Sequence, residues 1–168
     1  AALLGAFAIV LLGILTPREA AEAVDLDVIV VIAASFGLGG AIVVTGLADR
    51  LAEGLVEAVE PLGDRAVLAA VLLATIVLTE VVTNNAAAVL VFPIAIAAAS
   101  ATGSDPRSFA VVVALAASAS FLTPIGYQTN TMVWGPGGYR FGDYARLGAP
   151  LTVVVGVAAV ALAPVIWP

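Results

Sequence analysis

Apolar residues dominate the chain, and short polar segments divide it into stretches long enough to be helices. The apolar stretches are residues 1–15, 28–47, 66–82, 86–101, 109–122 and 149–167. A helix of about 20 apolar residues crosses the roughly 30 Å hydrocarbon core of a bilayer. We therefore predict an all-α, polytopic integral membrane protein with five or six membrane segments.

One segment has a different period. Leu47, Leu51, Leu55 and Val59 recur every fourth residue, and acids fill the opposite face. This pattern predicts an amphipathic helix over residues 47–60 that lies in the membrane surface. Because acidic residues bind lipid head groups poorly, we expect this helix to pack against the other helices.

Composition agrees with a membrane protein and excludes several kinds of chemistry. Of the 168 residues, 62% are hydrophobic and 11% are charged, whereas soluble domains are near one half and one quarter. Histidine and cysteine are absent, which excludes disulfides, thiol nucleophiles and His- or Cys-based metal sites. The net charge of −6 argues against a nucleic-acid partner. Three arginines fall on each predicted side of the membrane, so charge gives no orientation.

Residues 66–101 are predicted to form a re-entrant helical hairpin. Two apolar arms are joined by Thr83-Asn84-Asn85, a connection without charge, glycine or proline. A connection exposed to water would normally contain such residues, so we expect a polar tip buried within the membrane, although asparagine is also common in ordinary turns. Glu80 is the only acid within an apolar arm. It either binds a proton or cation, or locks the hairpin by accepting backbone N–H groups.

A second interruption is predicted in the helix over residues 107–134. Residues 123–131 contain Pro124 and Gly126, and five hydroxyl or amide side chains follow Gly126, more than a simple proline kink requires. Within a bilayer, helices break only where the freed backbone groups line a cavity or bind something. Helix C-termini suit cations and helix N-termini suit anions, so discontinuous helices are typical of transporter sites.

Both interruptions resemble those of a known family. Residues 78–87, continuing to residues 92–94, resemble the Ser-Asn-Thr hairpin motif of the divalent anion/sodium symporters, the sodium-coupled sulfate and dicarboxylate permeases. Residues 121–130, through Gly135, resemble the unwound helix of the same family. The resemblance implies that residues 1–168 are the second of two inverted repeats. The predicted spans are then residues 1–15, 28–47, the hairpin 66–101, the broken helix 107–134 and 149–167.

The resemblance also implies roles for individual residues. Sodium would be bound by Thr79, Thr83, Asn84 and Gly126. The substrate anion would be bound by Thr83, Asn84, Asn85, Tyr127, Gln128, Thr129 and Asn130. Asn85 replaces a threonine, and Tyr127-Gln128-Thr129 replace Thr-Pro-Pro, so the substrate stays open between sulfate and a di- or tricarboxylate.

The leading hypothesis is sodium-coupled anion transport by alternating access. It implies no cofactor besides sodium, a homodimer in the bacterial inner membrane, and a preceding repeat that supplies the other half of the site. One alternative is a proton-coupled or uncoupled anion permease similar to arsenite-efflux proteins. A membrane enzyme is disfavoured because no general base besides Glu80 accompanies the polar residues. A purely structural subunit would leave the polar breaks unexplained.

Overall fold

The computed structural model describes residues 2–24 and 26–168, with the side chains of all of these except Asp27, Val28 and Glu60. The chain forms two compact units, Ala1–Ala33 and Ala34–Pro168. Throughout the described residues, every regular element is helical, as the apolar pattern predicts. The all-α fold class is therefore confirmed.

The first unit contains two short helices and the start of a third. These are α1 (Ala2–Leu11), α2 (Pro17–Glu22) and the beginning of α3 (Leu26–Val44). The hydroxyl of Thr16 accepts the Glu19 N–H at 3.2 Å, and the Glu19 carboxylate accepts the Thr16 N–H at 2.8 Å. This reciprocal capping box fixes the start of α2. Residues 18–27, whose charges predict a polar connector between the first two apolar stretches, are therefore helical in part.

The capping box makes the charge of Glu19 sensitive to folding. The hydrogen bond from the Thr16 backbone lowers the pKa of Glu19 below its ordinary value. Because folding lowers its pKa, ionised Glu19 stabilises α2 at pH values above the unfolded-state pKa. This stabilisation is lost as the pH falls through the folded-state pKa. We expect an NMR titration of Glu19 to have a lower midpoint in the folded protein than in an unfolded peptide of the same sequence. Equal midpoints would contradict the capping box.

The second unit contains the rest of α3 and the helices that follow it. They are α4 (Leu47–Val59), α5 (Asp64–Thr79), α6 (Asn84–Thr102), α7 (Pro106–Ser118), α8 (Gln128–Trp134) and α9 (Phe141–Ile166). A short 3-10 turn, Glu60–Leu62, follows α4. By length and composition, α6 and α9 could cross a membrane. The bent pair Ile29–Val44 and Leu47–Val59, at 73°, forms a third candidate if it is counted as one span.

The core of the second unit lies where α5, α6 and α7 pack together. Helix α4 packs on α6 and α5, and α9 packs on α5 and α7. Small side chains allow close helix approach, which drives helix association in membranes. Helix α6 contributes four fully buried small residues to this packing, Ala87, Ala95, Ala98 and Ala99. The outer faces are apolar and exposed, as expected of helices that face lipid.

Helix α4 packs against the other helices, as expected, and two alanines make its closest contact. Ala48 and Ala52 are buried, whereas Leu47 and Leu51 are 43% and 46% exposed. The small alanines bring α4 close to α6, and the larger leucines flank this contact. At the other end of the helix, Leu55 and Val59 of the apolar stripe pack against the core.

The polar composition of residues 139–146 predicts a surface loop before the last apolar stretch. Helix α9 instead begins at Phe141, within this segment. The Asp143 carboxylate accepts the Arg140 N–H at 2.7 Å and so satisfies a free donor at the helix start. The charged residues that suggest a loop therefore form the first turns of α9. This extension brings Tyr144 and Gly148 against the second helix break.

Candidate binding site at two helix breaks

The predicted hairpin is present, with its turn slightly earlier in the sequence than expected. Helix α5 ends at Thr79 and α6 begins at Asn84, so residues 80–83 form the connection. Thr83 caps α6, and its hydroxyl accepts the Ala86 N–H at 3.3 Å. Asn84 and Asn85 are therefore the first residues of α6. Free N–H groups and the helix dipole make such an N-terminus favourable for an anion.

Thr79 lies in the core rather than at the surface. It is fully buried, and its hydroxyl donates to the Ala117 carbonyl of α7 at 2.7 Å. This is a bond between helices, not the bond within its own helix that membrane threonines often form. Since a hydroxyl has one donor and two acceptor lone pairs, the oxygen can still coordinate a cation.

The second predicted break is also present. The chain leaves helical geometry after Ser118 and resumes it at Gln128, and Pro124 is buried within the interruption. The Gly126 N–H donates to the Thr123 hydroxyl at 3.1 Å, and the Thr131 hydroxyl donates to the Pro124 carbonyl at 2.8 Å. Backbone groups freed by a break need such partners when water is excluded.

Asn130 holds this interruption together. Its side-chain Nδ2 donates to the carbonyls of Ser120 and Thr123, at 3.0 and 3.1 Å. An asparagine amide has two N–H donors, so both are used within the break, and only Oδ1 is left to meet a ligand. Oδ1 is an acceptor, which suits a cation and not an anion.

Asn84 is arranged in the opposite way. Its Oδ1 accepts the N–H of Asn85 at 2.9 Å, so its two Nδ2–H donors point away from that bond. The two asparagines thus offer different groups, with donors at the hairpin and an acceptor at the unwound segment. A site that binds an anion beside a cation needs both.

The remaining predicted site residues differ in exposure. Gly126 is buried, whereas Tyr127, Gln128 and Thr129 are exposed on the start of α8. A cleft of about 560 Å³ lies beside Asn130, between the unwound segment and α9. Tyr144 and Arg146 line this cleft, and the Tyr144 hydroxyl donates to the Asn130 carbonyl at 2.9 Å.

Glu80 connects the two breaks. One carboxylate oxygen accepts the Leu122 N–H at 3.0 Å, and the other accepts the Thr123 hydroxyl at 2.7 Å. Sequence analysis gave Glu80 a locking role as one alternative, and the contacts agree with it. The lock is made to the other break rather than within the hairpin.

Several residues that shape the site were not singled out from the sequence. Thr123 and Thr131 were counted only among the polar residues of the second break, and Tyr144 was placed in a loop. Within the part of the chain that the structure describes, no three acidic, histidine or cysteine side chains group as metal ligands. A metal ion here would be held by hydroxyl, amide and carbonyl oxygens, a set that suits sodium better than zinc.

Comparison with known proteins identifies the family. Residues 1–167 match the profile of the family described as citrate transporter. The chain belongs to this citrate transporter family. This match and the relatives below confirm the resemblance to the divalent anion/sodium symporter family, and the family and the apolar helices make the chain part of an integral membrane protein. Since the citrate transporter family and the relatives below are transporters, the enzyme alternative is set aside.

The relatives of this citrate transporter family member are themselves named as transporters. It is 47% identical over 163 residues to an uncharacterized transporter of Synechocystis sp., covering 97% of this chain and 27% of that protein. It is 38% identical over 154 residues to sodium/sulfate cotransporter 2 of Chlamydomonas reinhardtii, covering 91% of this chain and 17% of that protein. It is 40% identical over 124 residues to the uncharacterized transporter YfbS of Escherichia coli, covering 74% and 20%. The chain therefore spans only a part of each relative.

Proposed function

We propose that the full-length protein containing this chain transports a small anion, with sulfate as the first candidate, in symport with sodium. The observation that carries the proposal is the hydrogen-bonded connection of two polar helix breaks through Glu80. The names of relatives at 36–38% identity, sodium/sulfate cotransporters, support sulfate and sodium. The family description leaves citrate as the alternative anion.

In this proposal the anion binds at the start of α6. The α6 N-terminus supplies partial positive charge, and Thr83, Asn84 and Asn85 supply hydroxyl and amide groups. No arginine lies within either break, so dipoles and a bound cation balance the charge of the anion. Tyr127, Gln128 and Thr129 are exposed on α8 and would meet the anion from the other break.

Sodium binds next to the anion, where helix ends present oxygen atoms. The Thr79 hydroxyl oxygen and the Gly126 carbonyl are the proposed ligands, with Thr83 and Asn84 at the hairpin. Asn130 was predicted to bind the anion, but the use of both its amide donors favours contact of its Oδ1 with the cation. The positive charge of sodium would then raise the affinity for the anion beside it, which is the physical basis of coupling.

The proposal extends to the rest of the protein. A preceding, inverted repeat would complete the site, and the protein would be a homodimer in the bacterial inner membrane. Alternating access then moves the breaks against a fixed scaffold. We expect the 168 residues alone to show no uptake in liposomes, because the exposed side of the site would stay open to water. Uptake by this chain alone would contradict the need for a second repeat.

Uptake by the full-length protein in proteoliposomes tests the proposal. We expect an inward sodium gradient to increase the rate of labelled sulfate uptake several-fold over an equal potassium gradient at the same membrane potential. Labelled citrate and succinate identify a carboxylate substrate instead. Uptake that follows a proton gradient and ignores sodium would reject sodium symport.

A pair of variants on α6 tests the site. Asn84→Ala removes the amide donors at the hairpin, and we expect sulfate uptake to fall about tenfold or more because one hydrogen bond to a charged group is lost. Ser100→Ala, on the same helix, removes only a hydroxyl that bonds to the Ile96 carbonyl, and it serves as the control. Uptake that is equal in the two variants would reject the assignment of Asn84.

A further inference from the structure

The position of Glu80 at the end of α5 gives its carboxylate a role in both breaks. Glu80 is the residue that follows the last turn of α5, and its two oxygens bind two different groups of the unwound segment. The bond to the Leu122 N–H satisfies a backbone donor that the break has freed. The bond to Thr123 fixes a side chain that itself binds the Gly126 N–H.

These bonds are part of one continuous network. Asn130 donates to the Thr123 carbonyl, Thr123 donates to Glu80, and Glu80 lies directly beside Thr79. Thr79 in turn donates to the Ala117 carbonyl near the end of α7. The bonds made by Thr79 and Glu80 join residues 38 to 43 positions apart along the chain, so they define tertiary structure rather than a local turn. A connected network of this kind is rigid, because each lost bond would leave a buried or half-buried polar group without that partner.

The partners of Glu80 are neutral. The only ion pair found in the described part of the chain is Arg18–Glu22, far along the sequence from either break. The two groups that bind the carboxylate are hydrogen-bond donors, an N–H and an O–H. Each needs an acceptor atom, but neither needs a negative charge. Glutamine can supply the same arrangement, since its oxygen accepts from Leu122 and its amide donates to the Thr123 oxygen.

We propose that Glu80 is a positioning residue that fastens the hairpin tip to the unwound segment, so that the two breaks keep one spacing and move as a unit during transport. This rests on the proposed function, in which the anion and the cation meet between the breaks. In this role Glu80 does not bind the coupling ion. Its contribution is to hold the ligands of one break at a fixed distance from those of the other.

Three substitutions distinguish this role from a charge-carrying one. In the purified full-length protein, Glu80→Ala is expected to raise the half-saturating sodium concentration about tenfold or more, because ligands on loosened elements must be ordered on binding. Glu80→Gln is expected to stay within about threefold of the unmodified protein, a free-energy difference of under 1 kcal/mol. Thr123→Val removes one of the two bonds to Glu80 and also the acceptor of the Gly126 N–H, so it is expected to raise the half-saturating sodium concentration more than Glu80→Gln does. Glu80→Gln as damaging as Glu80→Ala would overturn the proposal.

A distance measurement tests the fastening without relying on transport. Val81 and Ile125 are 79% and 64% exposed, one in each break, and this chain contains no cysteine. Spin labels on cysteines at these positions, in a background without other cysteines, are expected to give a narrow distance distribution by pulsed EPR. The distribution should broaden with Glu80→Ala and stay narrow with Glu80→Gln. An unchanged distribution in Glu80→Ala would overturn the proposal.

The two measurements separate failure of the fastening from failure of the proposed function. If the unmodified protein transports no tested anion, the proposed function fails, while the EPR result still decides whether Glu80 fastens the breaks. If sodium-driven uptake is present and Glu80→Ala leaves the half-saturating sodium concentration unchanged, the positioning role fails and the function stands.

Discussion

Gly148→Ala is expected to destabilise the folded protein more than Gly126→Ala, the other methyl addition at these breaks. A Cβ at Gly148 would overlap the carbonyl oxygen of Phe121 and lie 3.1 Å from the Phe121 Cβ. The obstacle is the backbone of the unwound segment, which cannot rotate away as a side chain can. Overpacking of this kind costs about 1–3 kcal/mol or more, and here it would also push α9 away from the break.

Thermal unfolding of the purified full-length protein measures this effect. We expect a lower midpoint for Gly148→Ala and a smaller yield of monodisperse protein. The control is Gly142→Ala on the same helix, where a Cβ meets no atom within 4 Å. Since alanine favours a helix over glycine by up to about 1 kcal/mol, the control should be neutral or slightly stabilised. Equal midpoints for the two variants would contradict the contact between α9 and Phe121.

Gly126→Ala is expected to abolish most transport while leaving the helices folded. Its Cβ would overlap the Ser120 hydroxyl and lie 2.9 Å from a carboxylate oxygen of Glu80. The Glu80 oxygen belongs to the network that joins the breaks, so relief of the overlap requires Glu80 or the Ser120 side chain to move. We expect uptake to fall at least about tenfold, a loss of about 1.4 kcal/mol or more.

Ser120 allows a rescue experiment for this variant. Its hydroxyl is buried and has no hydrogen-bond partner within the described chain. Ser120→Ala alone is therefore expected to be neutral or stabilising by about 1 kcal/mol, because an unsatisfied polar atom is removed. Combined with Gly126→Ala, it should recover part of the lost uptake. Gly54→Ala, where a Cβ meets no atom within 4 Å, is the control for methyl addition. If the double variant is no better than Gly126→Ala, the crowding explanation is wrong.

Sequence patterns predicted the helices and the two breaks because both depend on local composition. Residues 123–131 contain too many amides and hydroxyls for a lipid-facing helix, and Thr83 is a strong helix cap. The helix boundaries were predicted less closely than the helices themselves. The charges around Asp143 suggest a loop from the sequence, but one of them caps α9 and extends it by about two turns.

Sequence could not show how the breaks are held together. Glu80 binds groups 42 and 43 residues away, and no periodicity connects positions at that separation. For the same reason, the sequence gives Asn130 an amide but not the direction of its donors. Only the carbonyls of Ser120 and Thr123 reveal that Oδ1 is the group left for a ligand. The buried stripe of α4 also depends on the neighbouring helix, since alanine is favoured where α6 comes close.

Ligand-induced stabilisation tests the central claim most directly, namely that the two breaks together bind an anion and a sodium ion in one site. A ligand at 100 times its dissociation constant stabilises the folded state by about 2.7 kcal/mol. The measurement is the thermal unfolding midpoint of the full-length protein with sulfate, in sodium and in potassium. We predict that sulfate raises the unfolding midpoint in sodium but not in potassium, and that Asn84→Ala removes this increase. An equal increase in potassium, or an increase that survives in Asn84→Ala, would contradict the claim.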